Sequence, residues 1–209
     1  MNACKSEVGN KAKLLEEDMK IGVLALQGAF REHCWMLERC KVTAIEIRKP
    51  EELDDVAGLV IPGGESTTIG KLMVQWGFME KIKIRASQGM GIYGTCAGMI
   101  ILAKEIVGRD QPRLGLMDVA VRRNGFGRQK ESFEAFMFVP EFGENPVQAV
   151  FIRAPYIEQA NERVKILARV KDKIVIARQD NILVTAFHPE LTDDNRIHKY
   201  FISMIKEEL

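Results

Sequence analysis

The 209-residue sequence predicts a three-layer α/β fold, in which a mostly parallel sheet carries helices on both faces and has an added antiparallel section. Two observations support this prediction. In the first half, short apolar runs alternate with helical segments of about ten residues, as in βαβ units. In the second half, strand-like runs follow one another with few residues between several of them, which fits an antiparallel section. We expect one domain over residues 19–209, preceded by a polar extension over residues 1–18.

The elements of the first half are predicted from apolar periodicity. Nearly continuous apolar runs, typical of buried strands, cover residues 21–26, 44–47, 59–61 and 92–93. Helical patterns lie between them over residues 29–40, 67–76 and 80–87. Loops that carry chemistry in such a sheet lie at the carboxyl ends of the strands. The loops after Ile61, around Cys96 and after Phe187 are therefore the candidate sites.

The second half is predicted to be rich in strands. Strand-like runs cover residues 116–121, 133–139, 149–152, 166–170, 174–177 and 183–187. The short polar segment at residues 171–173 is typical of a hairpin tip. A helix over about residues 193–208 is expected to close the chain.

Cys96 lies in the run Gly94-Thr-Cys-Ala-Gly98, between a strand-like stretch and residues 99–105, which are expected to begin a helix. This is the pattern of a nucleophile elbow, Gly-x-Ser-x-Gly, with sulfur in place of oxygen. The glycines leave room where the turn crowds the backbone, and the helix N-terminus favours the thiolate. We predict that Cys96 is a nucleophile; a small buried packing cysteine is the alternative.

The motif His188-Pro-Glu190 follows an apolar strand. Positions i and i+2 of an extended chain point the same way, and Pro189 biases His188 toward extended geometry. A cysteine nucleophile needs a base, and the base needs an orienting partner. Cys96, His188 and Glu190 can therefore form a catalytic triad. For this loop alone, a histidine that caps the strand beside a helix-starting glutamate is an equal alternative.

The loop at residues 61–68 reads Ile-Pro-Gly-Gly-Glu-Ser-Thr-Thr. Paired glycines before a polar cap residue expose backbone N–H groups at a helix start, and such donors suit a phosphate or an oxyanion. The N–H of Ala97, the residue after the nucleophile, is the other predicted oxyanion donor. The loop lacks a P-loop lysine, so a phosphate is disfavoured. A plain glycine turn is the alternative.

Composition argues against several classes of function. A net charge of +1 gives no general attraction to nucleic acid or to an anionic membrane, and no apolar run approaches the roughly 20 residues that span a bilayer. None of the four cysteines forms a Cys-x-x-Cys pair, so no metal site is predicted. Sparse thiols suit a reducing cytoplasm. We expect Cys34 and Cys40 to be packing residues of a helix.

Three motifs together resemble the class I, or triad, glutamine amidotransferases: Pro-Gly-Gly-Glu-Ser-Thr at residues 62–67, the elbow at 94–98 and Phe-His-Pro-Glu-Leu at 187–191. More narrowly, the chain resembles the glutaminase subunits of pyridoxal 5′-phosphate synthases. It shares with them Leu-Gln-Gly-Ala-Phe-Arg-Glu-His at 26–33, Arg-Asn-Gly-Phe-Gly-Arg-Gln at 123–129 and Phe-Ile-Arg-Ala-Pro at 151–155. The similarity begins at about residue 19 and does not include the extension.

The resemblance implies an enzyme that hydrolyses the side-chain amide of L-glutamine to glutamate and ammonia, with no cofactor of its own. The ammonia would pass to a separate synthase subunit in a hetero-oligomer. Glutamine contacts are implied at Gly64, Glu65, Ser66, Arg123, Ile152 and Arg153, of which the arginines suit an α-carboxylate. Gly64 and Ala97 would form the oxyanion hole. We expect Gln27, Arg31 and His33 at the partner interface or near the oxyanion region.

Two other functions stay open. One is a non-catalytic binding protein in which Cys96 is a redox sensor, which would leave His188 and Glu190 without a task. The other is a cysteine peptidase or related hydrolase, which would need an open groove for a chain. A basic cluster at Arg122, Arg123, Arg128 and Lys130 is expected to contact the synthase or to be solvated. Nucleic-acid binding is disfavoured, because the chain is nearly neutral and offers no stacking platform of interleaved aromatic residues.

Overall fold

The computed structural model describes residues 19–126 and 132–207. The predicted extension over residues 1–18 lies outside the described residues, as do Arg128 and Lys130. The helices are α1 (Phe30–Arg39), α2 (Ser66–Gln75), α3 (Phe78–Ser87), α4 (Ala97–Leu102) and α5 (Arg196–Glu207). The strands are β1 (Lys20–Leu24), β2 (Thr43–Ile47), β3 (Gly58–Ile61), β4 (Gly91–Thr95), β5 (Ala103–Ile106), β6 (Met117–Arg122), β7 (Ser132–Met137), β8 (Val147–Ile152), β9 (Tyr156–Ala160), β10 (Lys165–Val170), β11 (Lys173–Gln179) and β12 (Ile182–Thr185). Short 3₁₀ turns span Pro50–Asp55, Pro140–Phe142 and Pro189–Leu191.

The parallel part of the main sheet has the strand order β2-β1-β3-β4-β12, and each strand runs parallel to the next. Strand β12 comes from near the end of the sequence, yet it pairs with β4 in a register that places Thr185 beside Thr95. Because parallel strands end at the same edge of a sheet, the segments that follow β4 and β12 emerge next to each other. This pairing positions the site.

The predicted antiparallel section is present in the second half of the chain. Strand β11 pairs antiparallel with β12, β10 and β9, and β9 pairs antiparallel with β6. Strands β7 and β8 form a separate two-stranded antiparallel sheet. The mostly parallel sheet with an antiparallel addition is therefore confirmed.

Alternate residues of β4 face two different helical layers. Tyr93 contacts the rings of His198 and Phe201 on α5. On the other face, a Cβ added to Gly94 would lie 2.7 Å from the backbone carbon of Gly98 on α4. Helices therefore cover both faces of the sheet, as predicted, and β4 is fully buried between them.

Two predicted elements differ from the structure. The helix expected over residues 99–105 ends at Leu102, and the next four residues form β5, which pairs with β6 at the sheet edge. Pairing with the sheet overrides the helical propensity of this short segment. Strand β9 was not predicted, because its partly exposed sequence Tyr-Ile-Glu-Gln-Ala carries only a weak apolar pattern.

Candidate active site

Cys96 lies between the end of β4 and the start of α4, in a backbone conformation that is rare for residues other than glycine. Its φ is +47°, and its N–H donates to the Thr185 carbonyl at 2.8 Å. A Cβ on Gly98 would lie 2.1 Å from the Ile61 carbonyl oxygen, so only glycine allows α4 to approach β3 this closely. Strained non-glycine residues of this kind cluster at functional sites. The local geometry is that of the predicted elbow.

The segment after β12 brings His188 and Glu190 to the same edge. His188 Nδ1 lies 2.7 Å from Glu190 Oε1, and the backbone N–H of His188 donates to the Val150 carbonyl at 2.9 Å. Cys96 and His188 line the same cleft, and Cys96 is among the groups that raise the pKa of the His188 imidazole. The three side chains therefore lie in the order expected of a nucleophile, a base and an orienting carboxylate.

Electrostatics favour a protonated His188 beside an ionised Glu190. Burial alone would lower the pKa of His188, but its hydrogen bonds with Cys96 and Glu190 and the Glu190 charge outweigh burial and raise that pKa to about 10. Burial alone would raise the pKa of Glu190, but His33 and His188 outweigh it and hold that pKa below its usual value. A proton released by the Cys96 thiol therefore has a stable position on His188.

Cys96 and His188 open into a cleft of about 490 Å³. This volume lies in the range of small-molecule sites. All six residues predicted to contact substrate line the same cleft: Gly64, Glu65, Ser66, Arg123, Ile152 and Arg153. Glu190 does not line it, because this carboxylate is buried behind the imidazole.

Arg123 is held in the cleft by a polar network. Its guanidinium donates to Glu65 at 3.1 Å and to Thr67 at 3.3 Å, and also to Gln111 Oε1 at 2.9 Å. Burial alone would raise the pKa of Glu65, but hydrogen bonds from Thr68 and Thr67 lower it to about 2, so Glu65 is ionised. Gln111 was not predicted, because a single glutamine in an irregular segment carries no sequence signal.

Ile152 and Arg153 form the wall of the cleft opposite the glycine loop. The Ile152 carbonyl oxygen lies 4.0 Å from Cys96 Sγ. Arg153 has a positive φ of 43° and is exposed. This conformation places a cationic residue at the end of β8, beside the mouth of the cleft.

The two predicted oxyanion donors face the same cleft. Ala97 is the first residue of α4, so its N–H has no acceptor within the helix. The Gly63 carbonyl accepts from the Ala29 N–H at 3.1 Å. In a trans peptide the C=O and the following N–H point in opposite directions, so the Gly64 N–H points away from Ala29.

The three residues predicted at the partner interface have different positions. Arg31 is exposed at the start of α1. Gln27 lines the cleft, and its Oε1 accepts from the Glu65 N–H at 2.8 Å. The interface prediction for His33 is corrected: its side chain is fully buried and lies 3.3 Å from Glu190 Oε2, because α1 turns this position toward the sheet.

The other cysteines lie outside the cleft. Cys34 is buried in α1, and burial together with nearby carboxylates raises the pKa of its thiol to about 11. Cys40 is half-buried at the end of the same helix. In the parts of the chain that the structure describes, no group of three or more His, Cys, Asp or Glu side chains is arranged to hold a metal ion. No helix within residues 19–126 or 132–207 is long and apolar enough to cross a membrane.

A comparison with known protein families assigns this chain to a family of glutamine amidotransferases, in agreement with the fold and the site. Residues 23–207 match the model of the SNO glutamine amidotransferase family. The chain belongs to this family. The match includes the elbow, the glycine loop and the His-Pro-Glu motif.

Curated relatives are similar over nearly the whole described chain. Two are pyridoxal 5′-phosphate synthase subunits PdxT. The protein of Carboxydothermus hydrogenoformans is 59% identical over 187 residues, which cover 90% of this chain and 98% of the relative. The protein of Desulforamulus reducens is 60% identical over 188 residues, which cover 90% of this chain and the whole relative.

Solved structures are similar in fold. A crystal structure of a glutamine amidotransferase superposes with a TM-score of 0.85 at 49% identity, covering 89% of this chain and 98% of that one. The PurLQS structure from Thermotoga maritima has a TM-score of 0.67 at 16% identity, covering 89% and 98% of the two chains. The second likeness shows the fold alone.

Proposed function

We propose that this chain is the glutaminase subunit of a pyridoxal 5′-phosphate synthase and hydrolyses L-glutamine to glutamate and ammonia. The observation that carries this proposal is the placement of Cys96 and His188 in one cleft of amino-acid size, with Glu190 buried behind His188 and 2.7 Å from its Nδ1. The PdxT relatives, at about 59% identity over nine-tenths of the chain, support the same activity.

The chemistry follows from the order of these groups. The Cys96 thiolate attacks the side-chain carbonyl carbon of glutamine, and the N–H groups of Gly64 and Ala97 stabilise the oxyanion. His188 then donates a proton to the amide nitrogen, so ammonia leaves and a γ-glutamyl thioester remains on the sulfur. His188 next takes a proton from water, and the resulting attack releases glutamate and regenerates the thiolate. Glu190 orients the imidazole throughout.

The charges in the cleft suit a free amino acid. Its α-carboxylate and α-ammonium are opposite charges, and the cleft carries both cationic and anionic side chains. Arg153 is the better candidate to bind the α-carboxylate, because the guanidinium of Arg123 already donates hydrogen bonds to three acceptors. Glu65, ionised and partly exposed, suits the ammonium group. A peptide lacks this pair of charges at the residue that is cleaved, so these groups disfavour the peptidase alternative.

The proposal requires a second protein that consumes the ammonia. A synthase subunit would take up ammonia in a hetero-oligomer, and the residues proposed to face it are Gln27 and Arg31, beside the cleft. The cytoplasmic location suggested by the sparse cysteines stays a prediction. A redox-sensing role for Cys96 would leave the pairing of His188 with Glu190 unexplained.

The test is ammonia release by the purified chain, with and without a synthase subunit. L-Glutamine, a peptide library and hydrogen peroxide are supplied in separate reactions. Release of ammonia from glutamine without peptide cleavage supports the proposal, provided that this activity does not require oxidation of Cys96 to sulfenic acid. Peptide cleavage without glutamine turnover would support the peptidase alternative. Reversible oxidation of Cys96 with no turnover of either substrate would support the redox sensor.

A further inference from the structure

Behind the proposed triad, two further histidines continue the line of contacts into the core. His33 Nε2 lies 3.3 Å from Glu190 Oε2 and 3.1 Å from Thr95 Oγ1. His33 Nδ1 lies 3.0 Å from His198 Nε2. Both imidazoles are completely buried. The contacts therefore join four elements: α1, the end of β4, the segment after β12, and α5.

The hydrogen-bonding partners select one pair of tautomers. Burial lowers the pKa of His33, and burial together with His33 lowers the pKa of His198 to about 3, so both rings are neutral. Glu190 Oε2 can only accept, and a carboxylate oxygen 3.3 Å from Nε2 favours a proton on that nitrogen over a lone pair, so the proton of His33 lies on Nε2. This N–H donates to Thr95 Oγ1 at 3.1 Å, and Glu190 Oε2 has no hydrogen-bond partner within the described residues, so the N–H acts on that oxygen through proximity and charge. The Nδ1 of His33 must then accept from the Nε2–H of His198. This leaves His198 Nδ1 as a bare acceptor, and within the described residues that atom has no hydrogen-bond partner. A buried donor without a partner would be more costly.

We propose that His33 is a positioning residue for the triad: its Nε2–H lies against the second oxygen of Glu190 and stabilises the carboxylate in the orientation that aims the first oxygen at His188 Nδ1, and His198 holds His33 in the required tautomer. This inference rests on the glutaminase function proposed above. It explains why a histidine expected at an interface is buried instead. It also assigns a function to each of the three histidines of the chain.

Two amide substitutions separate the effect of the Nε2–H group from that of the side chain's shape. The amide nitrogen of His33→Gln reaches the position of Nε2 and still donates toward Glu190, whereas that of His33→Asn occupies the position of Nδ1 and does not. In the reconstituted complex we expect His33→Asn to lower kcat by about 10–100-fold with KM nearly unchanged, a loss typical of residues that orient a functional ligand. His33→Gln should keep most of kcat. Leu37→Ala, a buried substitution on the same helix, is the control for lost packing alone.

Nitrogen-15 NMR of the imidazoles gives a readout that does not depend on turnover. In the wild type, His33 and His198 should show the neutral Nε2–H tautomer across the neutral range. The charged and titratable groups that face this pair are Glu190, His188, Glu32 and Asp194, together with Tyr93 of β4, whose ring contacts both imidazoles. The protonation midpoint of His188 should fall in His33→Asn, because Glu190 is no longer fixed beside it. The midpoint should stay in place in His33→Gln and in Leu37→Ala.

A Nδ1–H tautomer of His33 in the wild type would overturn the proposal, and this measurement needs no variant. Equal damage by His33→Gln and His33→Asn would also overturn it, as would an unchanged kcat and His188 midpoint in His33→Asn. If the wild-type complex releases no ammonia from glutamine, the proposed function fails. The tautomers and the His188 midpoint still decide the positioning role in that case.

Discussion

Replacing Gly63 with alanine should disable the base while leaving the fold intact. A Cβ at this position would lie 2.3 Å from His188 Cε1 and 2.8 Å from its Nδ1. Non-bonded carbons approach to about 3.5 Å, so the imidazole must retreat by roughly 1.2 Å. Gly63 does not have a positive φ, so the alanine itself fits the backbone. The side chain that must move is the one proposed to accept the proton of Cys96.

The expected loss follows from that displacement. A misplacement of about 1 Å at a reacting group can cost about 10²-fold in rate, which is about 2.7 kcal/mol of transition-state stabilisation. The 2.7 Å contact between His188 Nδ1 and Glu190 Oε1 cannot persist unchanged if the ring moves by roughly 1.2 Å. We therefore expect Gly63→Ala to lower kcat by about 10²-fold, with a smaller change in KM.

The assay is steady-state ammonia release by the reconstituted complex, paired with chemical denaturation of the isolated chain. The control is Gly108→Ala: this glycine has a φ of +71° and open space around it, so alanine should cost about 1 kcal/mol in stability and leave kcat unchanged. A Gly63→Ala enzyme with kcat within twofold of the wild type would refute the reasoning. A loss of kcat in Gly108→Ala equal to that in Gly63→Ala would refute it as well.

Three further predictions concern the site and its surroundings. His188→Asn should lower kcat by about 10³-fold, and Glu190→Gln should lower it less, because it disturbs the base without removing it; steady-state kinetics of both variants checks this order. Glu65→Gln should raise KM for glutamine by roughly tenfold or more, since it removes a charged partner of Arg123 and of the substrate ammonium, and kcat should change little. The pKa of His198 is lowered to about 3 from an unfolded value of 6.5, so the stability contributed by its neutral form is complete only well above pH 6.5 and is lost as pH falls. Between pH 7.5 and pH 5 the loss amounts to about 2 kcal/mol, measured by urea unfolding as a pH-dependent difference from His198→Gln. A constant difference between those two proteins across this pH range would contradict the neutral, buried state of His198.

The fold class and the elbow were predictable because each depends on local pattern. Alternating apolar runs and helices predict a parallel sheet, and Gly94 and Gly98 around Cys96 predict a crowded strand-to-helix turn. His188 and Glu190 could be found for the same reason, since two residues apart on an extended segment face the same side. The substrate contacts came from resemblance and not from physical reasoning on single residues.

The missed parts depend on tertiary contacts that no local pattern encodes. Gln111 reaches Arg123 across the cleft from an irregular segment. His198 lies on the face of α5 that packs over β4, 165 positions from its partner His33. His33 was expected at the partner interface or near the oxyanion region, because it lies with Gln27 and Arg31 at the start of the first helix. Only the packing of α1 on the sheet shows that this position points inward.

The most direct test of the central claim is ammonia release from L-glutamine by the reconstituted complex carrying Cys96→Ala, compared with Cys34→Ala and with the wild type. Cys96 supplies the only sulfur in the described cleft, whereas Cys34 is buried in α1. We predict that Cys96→Ala falls to the background rate measured without enzyme and that Cys34→Ala keeps nearly full activity. Substantial turnover by Cys96→Ala would contradict the proposed mechanism.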